Sequence, residues 1–245
     1  MSSSRPVVLV TGAARRVGAV IARQLHPHCD LALHYRSSAE AMQTLAAELE
    51  AARAGSVLTV RADLGDIAAL PGLVEAVVAR FGRLDHLVHN ASSFHPTRIG
   101  EVDEAAFDGL FASNAKGPFF LSQAAAPHLR AARGSMVSLL DIYAERPLPD
   151  HAVYSMAKAA HRMMVLALAQ ALGPEVRVNG VAPGTVLWSE KPFKAESPEA
   201  IDTRTALGRV GTPEAVATAV RQLLLEADYT TGAVLPVDGG RLLST

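Results

Sequence analysis

The chain has 245 residues, between one and two times the ~150 typical of a domain, and a single domain spanning 1–245 is expected. Its 23 Lys and Arg balance 24 Asp and Glu to a net charge of −1, which disfavours a dedicated nucleic-acid binder or a surface for anionic lipid. With 49% apolar and 19% charged residues a sizeable core can be buried, which excludes the disordered class, and the single cysteine, Cys29, can form neither an intrachain disulfide nor a thiolate metal cluster.

The first apolar run, residues 7–10, is too short for a signal-peptide core or a bilayer span, so a cytoplasmic protein without membrane contact is expected. It lies in a predicted strand at 6–10, followed by a helix at 17–25, whose end His26 and His28 are expected to cap. A strand at 31–35 leads to a helix at 39–53, where Ser37 and Glu40 have the spacing of a capping box. Then come a strand at 57–62, a helix at 68–81, a strand at 86–89 and one long helix at 104–129. The pattern continues with a strand at 135–139, a helix at 153–172, a strand at 177–181, a helix at 213–225 and a strand at 233–236. Strands apolar on both faces and joined by helices predict an α/β, doubly wound Rossmann-type domain. Its parallel sheet has about seven strands, helices cover both faces, and ligands bind beyond the strand carboxyl ends. The segment at about 186–210, rich in Pro, Lys and Glu, reads equally as a substrate lid or a surface excursion.

Directly after the first strand comes Thr11-Gly12-Ala13-Ala14-Arg15-Arg16-Val17-Gly18, opening into a helix. Small residues at such a turn let the backbone approach a pyrophosphate, which helix N-terminal amides stabilise. Further on, Tyr154-Ser155-Met156-Ala157-Lys158 places a phenol and an ammonium four apart on one helical face. At that spacing the ammonium is expected to lower the phenol pKa.

These residues resemble the short-chain dehydrogenase/reductase family, whose fingerprint is Thr-Gly-xxx-Gly-x-Gly. Gly12 and Gly18 match, and Arg16 replaces the middle glycine. An NAD site of this kind carries an acid at the end of the second strand. Here that strand ends His34-Tyr35-Arg36-Ser37-Ser38, so Arg36 and the serine hydroxyls, with help from Arg15, suit a 2′-phosphate and favour NADPH. Taken alone, Arg36 also reads as a solvated surface charge. The resemblance further implies that Asp63 and Leu64 contact the adenine and that Asn90 braces the central sheet while, with Ala91 and Ser92, it lines the cofactor. Val17 opens the helix at the pyrophosphate, and Pro183 and Gly184 pass the carboxamide. Tyr154 then delivers a proton, Lys158 binds the nicotinamide ribose, and Asn114 organises a relay water. Val237-Asp238-Gly239-Gly240 matches a subunit-packing segment, so a homotetramer is expected.

Where the family places a serine thirteen residues before the tyrosine, this chain has Asp141. A carboxylate repels a developing alkoxide but can bind ring N–H groups or relay a proton to an imine nitrogen. Ser138, three residues earlier on the strand, lies about 10 Å back from its carboxyl end, too far to replace the hydroxyl. Together with Arg16, Ser92 and Phe94, this pattern is similar to the pteridine reductases. That resemblance implies NADPH-dependent reduction of a dihydropteridine, with dihydrofolate as a further substrate, and a pterin ring held by Arg16, Ser92, Phe94, Asp141 and Tyr154. The alternatives are a carbonyl reductase acting on 3-oxoacyl thioesters or small ketones, and a nucleotide-sensing protein without turnover. No metal site is expected: the nine histidines include no His-Glu-x-x-His, and His86 and His89 belong to a strand.

Overall fold

A computed structural model describes residues 5–186 and 204–243. In chain order these form β1 (Val7–Val10), α1 (Arg16–Leu25), β2 (Asp30–Tyr35), α2 (Ala39–Ala52), β3 (Val57–Arg61), α3 (Leu70–Phe81) and β4 (His86–His89). They continue with α4 (Glu104–Phe111), α5 (Gly117–Ala132), β5 (Ser135–Leu139), α6 (Ala152–Leu172), β6 (Arg177–Pro183), α7 (Pro213–Leu225) and β7 (Val234–Val237). The strands make one parallel sheet in the order β3-β2-β1-β4-β5-β6-β7. This is the doubly wound architecture expected from the βα alternation.

Alternation along β1 sets the layers. Val7 and Leu9 point to the side covered by α3, α5 and α6, whereas Val8 and Val10 point to the side covered by α1, α2 and α7. Each fully buried Leu, Ile or Val contributes about 1.5–3 kcal/mol relative to exposure. The central strands are buried along nearly their whole length, while β3 and β7 are partly exposed because each is an edge with a single neighbour.

Two local expectations are corrected. The helix expected at 104–129 is two helices joined by a π turn at Ala112–Lys116, and its second half runs on to Ala132. Side chains compete for the carbonyls there: Ser113 Oγ donates to Gly109 O at 3.0 Å and Asn114 Nδ2 to Leu110 O at 3.0 Å, and the backbone ladder widens. The Ser37–Glu40 capping box is not formed. Ser38 is the cap residue of α2 and makes no side-chain cap bond, its hydroxyl accepting instead from the Arg15 guanidinium. At the end of α1, His26 is the cap residue as expected, its backbone N–H donating to Ala22 O at 3.0 Å, while its ring lies 2.7 Å from Ser56 Oγ and ties the turn to the start of β3.

The chain winds outward from β1 in both directions, so the carboxyl ends of β1 and β4 part at a topological switch point where a crevice forms. Most of the expected lid at about 186–210 lies outside the described residues. Among the described residues no helix is long and apolar enough to cross a membrane.

Candidate active site

The crevice between β1 and β4 is braced by polar groups, Asn90 among them as expected. Thr11 Oγ1 donates to Val88 O at 3.2 Å and accepts from the backbone N–H of Asn90 at 2.9 Å and of Ala91 at 3.1 Å. Asn90 Nδ2 returns bonds to the carbonyls of Thr11 and Gly12, each at 2.9 Å. Nothing in the spacing marks Thr11 as a brace, because its partners come from 77 or more residues away. This clamp fixes the glycine turn. Gly12 has φ +63°, and a Cβ there would sit 2.8 Å from Ala91 Cα; a Cβ on Gly18 would sit 2.4 Å from Gly12 O. Arg16, where the family fingerprint has its middle glycine, keeps a left-handed backbone at φ +53°. The strain persists, costing about 1–2 kcal/mol for a residue with a Cβ.

His34 closes the other side of the turn. Its Nδ1 accepts from Gly12 N–H at 3.2 Å while Nε2 lies 3.1 Å from Ala62 O, which places the proton on Nε2. Burial keeps this imidazole neutral by lowering its pKa.

The fit of this region to a dinucleotide can be judged from its charges. α1 begins with no acidic residue in its first turn and no side-chain cap, so its leading amides face outward uncommitted to a side chain. Around that end stand Arg15, held by Ser38 Oγ at 2.6 and 3.0 Å, and exposed Arg36, whose carbonyl accepts from Arg61 Nε at 3.1 Å. Arg61 was not among the expected residues; only the in-register pairing of Tyr35 with Arg61 brings it here. Tyr35 is half-buried and Ser37 exposed at the same strand end, and no carboxylate occupies it. Exposed Asp63 sits in a turn with its Oδ1 accepting from Gly65 N–H, beside buried Leu64. These groups fit an anionic, phosphorylated adenosine end.

The catalytic candidates meet at the carboxyl end of β5. Asp141 follows that strand and caps a short 3₁₀ turn (Ile142–Ala144), accepting from Tyr143 N–H at 3.0 Å. Its other oxygen accepts from the Tyr154 hydroxyl at 2.7 Å. Lys158, one helical turn on, donates to Leu139 O at 2.9 Å, with its Nζ 5.9 Å from the centre of the Tyr154 ring. Desolvation raises the Asp141 pKa, offset in part by the Tyr143 amide, the Tyr154 hydroxyl and Lys158. Burial first, and the adjacent Asp141 carboxylate second, push Tyr154 well above its ordinary value. This corrects the expectation that Lys158 lowers the phenol pKa: the ammonium bonds a backbone carbonyl, and the carboxylate holds the phenolic proton. Burial lowers Lys158 to about 8 despite Asp141.

The other expected residues take up definite places. Asn114 is buried in the π turn, its amide donating to Ser93 O and Leu110 O at 3.0 Å each. Phe94, 43% exposed, stacks on His151 at 4.6 Å and meets Tyr154 edge to face at 4.8 Å. Sequence reasoning missed His151, which precedes α6 and backs one face of that ring. Ser92 is exposed beside half-buried Ala91. Pro183 ends β6, and Gly184 follows it with its N–H bonded to Val237 O at 3.1 Å. Val17 lies in the first turn of α1, partly buried against the core. Among the described residues no group of three or more His, Cys, Asp or Glu could hold a metal ion. Cys29 is buried, and burial pushes its thiol up to about 12, far from a nucleophile.

A family model described as Enoyl-(Acyl carrier protein) reductase matches residues 12–241. The chain is 36% identical to Pteridine reductase 1 of Leishmania tarentolae, over 99% of this chain and 98% of that protein. It is 38% identical to a protein named as a ketoacyl reductase of the granaticin polyketide synthase in Streptomyces violaceoruber, over 96% and 95%. Among solved structures, a doubly substituted short-chain dehydrogenase/reductase of Serratia marcescens superimposes with a TM-score of 0.89 at 34% identity, over 96% of this chain and 97% of that one. Seven parallel strands, the glycine turn and the Tyr154–Lys158 pair agree with these matches: the chain belongs to the short-chain dehydrogenase/reductase family and is an oxidoreductase of that family.

Proposed function

We propose that this protein is an NADPH-dependent reductase of pterins, converting a dihydropteridine to its tetrahydro form, with dihydrofolate as a second substrate. The observation that carries the reading is the 2.7 Å hydrogen bond between Tyr154 and Asp141, a carboxyl group where ketone chemistry favours a neutral hydroxyl. Similarity to a pteridine reductase along nearly the full chain adds support.

Arg15, Arg36 and Ser37 would hold the 2′-phosphate, the first turn of α1 from Arg16 to Gly18 the pyrophosphate, and Asp63 and Leu64 the adenine. His34, Tyr35, Asn90, Ala91, Ser92, Pro183 and Gly184 would line the rest, and Lys158 would bind the nicotinamide ribose. Hydride is the chemistry that NADPH supplies when bound. Tyr154 holds the proton that must reach the ring nitrogen as the neighbouring carbon gains its hydride, so C=N becomes CH–NH with charge balanced. Asp141, with its pKa raised, carries a proton closer to neutrality than an ordinary aspartate, and its bond to Tyr154 gives that proton a path to the phenol oxygen. In its ionised form Asp141 would also repel an alkoxide formed at the same place. Phe94, partly exposed beside Tyr154, would offer its ring to a flat heterocycle, Arg16 and Ser92 offer donors at the rim, and Asn114 anchors the loop after β4.

The proposal includes one domain over 1–245, a lid at about 186–210, a cytoplasmic homotetramer and a small-molecule substrate without nucleic-acid or membrane partners. A carbonyl reductase is the second reading, favoured by the identity with the ketoacyl reductase. Oxidation of NADPH by purified protein decides between them. Dihydrobiopterin or dihydromonapterin should outpace acetoacetyl thioester in kcat/KM, and the reverse order would overturn the pterin reading.

A further inference from the structure

The side chain of His34 does more than fill the end of β2. Along that strand Leu31 and Leu33 belong to the layer under α1 and α2, and Ala32 to the opposite layer. Alternation therefore brings the His34 ring out on the side of Ala32, between β1 and β3. The residue is 2% exposed. It has almost no surface to give a ligand, so what it gives a cofactor passes through the turn it holds.

Three consecutive amides of that turn are committed to the sheet. Thr11 N–H donates to Val88 O at 3.0 Å, Gly12 N–H to His34 Nδ1 at 3.2 Å and Ala13 N–H to the His34 carbonyl at 2.9 Å. His34 thus takes two of the three, one with its ring and one with its backbone. The other ring nitrogen donates to Ala62 O at 3.1 Å, just past β3, so one residue ties together the carboxyl ends of β1, β2 and β3. The amides left to face an anion are those that follow at the head of α1, and their direction is set by how the turn is held. A doubly protonated ring has no lone pair for Gly12 N–H. Two donors would then point at each other inside a buried site, which leaves the Gly12 amide unsatisfied.

We propose that His34 is the positioning residue of the dinucleotide turn and that it makes cofactor capture sensitive to acid, because only the neutral ring with its proton on Nε2 holds the turn closed. The proposal rests on the reading of this turn as a cofactor site. Burial is the main force keeping the ring neutral and Arg36 adds to it, whereas the Ala62 carbonyl and Asp63 favour the charged form. The glycine turn brings Arg15, bonded to Ser38, and Arg16, both exposed. From β3 comes Arg61, which donates to Arg36 O, and from the turn after it Asp66, which accepts from Ala68 N–H. On α3, the helix on that side, Glu75 and Arg80 are exposed, and β1 carries no ionisable side chain. Linkage makes the effect reciprocal: protonation weakens the cofactor, and bound cofactor resists protonation.

The test is the affinity for NADP⁺ against pH, measured by calorimetry on wild type and two variants. His34→Asn keeps an acceptor for Gly12 N–H and does not titrate, whereas His34→Leu removes the acceptor. The His34 ring, followed by its ¹⁵N shifts, should titrate below an ordinary histidine. Under that midpoint wild type should lose affinity by about tenfold per pH unit relative to His34→Asn, a comparison in which ionisation of the 2′-phosphate cancels. At neutral pH His34→Leu should bind NADP⁺ about tenfold more weakly than His34→Asn. The Gly12 amide cross-peak in ¹H–¹⁵N spectra should move with the His34 midpoint in wild type and stay still in His34→Asn. An acid limb shared by wild type and His34→Asn, equal affinities of the Leu and Asn variants, or a Gly12 amide indifferent to the ring would overturn the proposal. If His34→Leu does not fold, the comparison of wild type with His34→Asn decides. Absence of NADP⁺ binding at every pH would instead overturn the cofactor reading, and the Gly12 cross-peak would still decide whether His34 holds the turn.

Discussion

The Tyr154 hydroxyl donates to Asp141 across 2.7 Å, and burial, with the carboxylate that receives the bond adding to it, raises the pKa of the phenol. The pair is therefore poised to hold a proton at neutral pH rather than to present a phenolate. Asp141→Ser removes the charge and restores a neutral donor. Turnover of dihydropteridine should fall by about 100-fold, a loss within the range of one general acid–base group. Activity on a ketone should rise, and the tyrosine ionisation followed by ultraviolet difference absorption should move to lower pH. Unchanged pterin turnover would remove Asp141 from the mechanism.

Tyr154→Phe deletes one oxygen and keeps the ring that meets Phe94 edge to face. The expected result is a drop in kcat of about 10²–10⁴-fold. NADPH affinity, measured by fluorescence titration, should stay within about twofold, because hydrogen bonds to the nicotinamide ribose are assigned to Lys158 and not to the phenol.

Arg36 stands exposed at the end of β2 with Arg61 bonded to its carbonyl. Arg36→Asp replaces a phosphate-binding donor by a like charge. A hydrogen bond to a charged group contributes about 1.5–3 kcal/mol, so NADPH should bind about 10–100-fold more weakly while NADH is little changed. Equal losses for the two cofactors would contradict the 2′-phosphate assignment.

Lys158 falls from 10.5 to about 8 on burial, so below pH 8 the folded protein carries an ammonium that the unfolded chain solvates better. Between about pH 8 and 10.5 the unfolded state still binds a proton that the native state has released, and stability from this group rises with pH across that window. Lys158→Met removes the charge and costs Leu139 O its donor, a loss of about 1 kcal/mol. The relief is larger, at about 1.4 kcal/mol per unit of pKa depression. The variant should melt higher than wild type at pH 7, lose this advantage above about pH 10, and be inactive. A lower melting temperature at pH 7 would refute the account.

Arg16 keeps φ +53° where the family fingerprint carries glycine. Arg16→Gly should gain about 1 kcal/mol of stability by relieving the left-handed strain, read as a higher urea midpoint at unchanged slope. It should also raise KM for the pterin, since a guanidinium leaves the rim of the site.

Much of this was legible in one dimension. Apolar runs separated by helical periods fix a parallel sheet because a strand buried on both faces needs helices on both, and a phenol and an amine four residues apart share a helical face whatever surrounds them. The glycine turn, Tyr154 and Lys158 follow from such local rules, and Asp141 from the family resemblance. The partners of those groups do not. Hydrogen bonding of Ser113 and Asn114 to earlier carbonyls splits the long helix; Thr11 becomes a brace only when β4 lies beside β1; Arg61 joins Arg36 only through the β2–β3 register. The direction of the Tyr154 shift depended first on how deeply its hydroxyl is buried and then on the Asp141 carboxylate beside it. Residue spacing along a helix sets which side chains share a face, but the field at one atom is set by distances across elements and by exclusion of water, and these exist only once the chain has closed on itself.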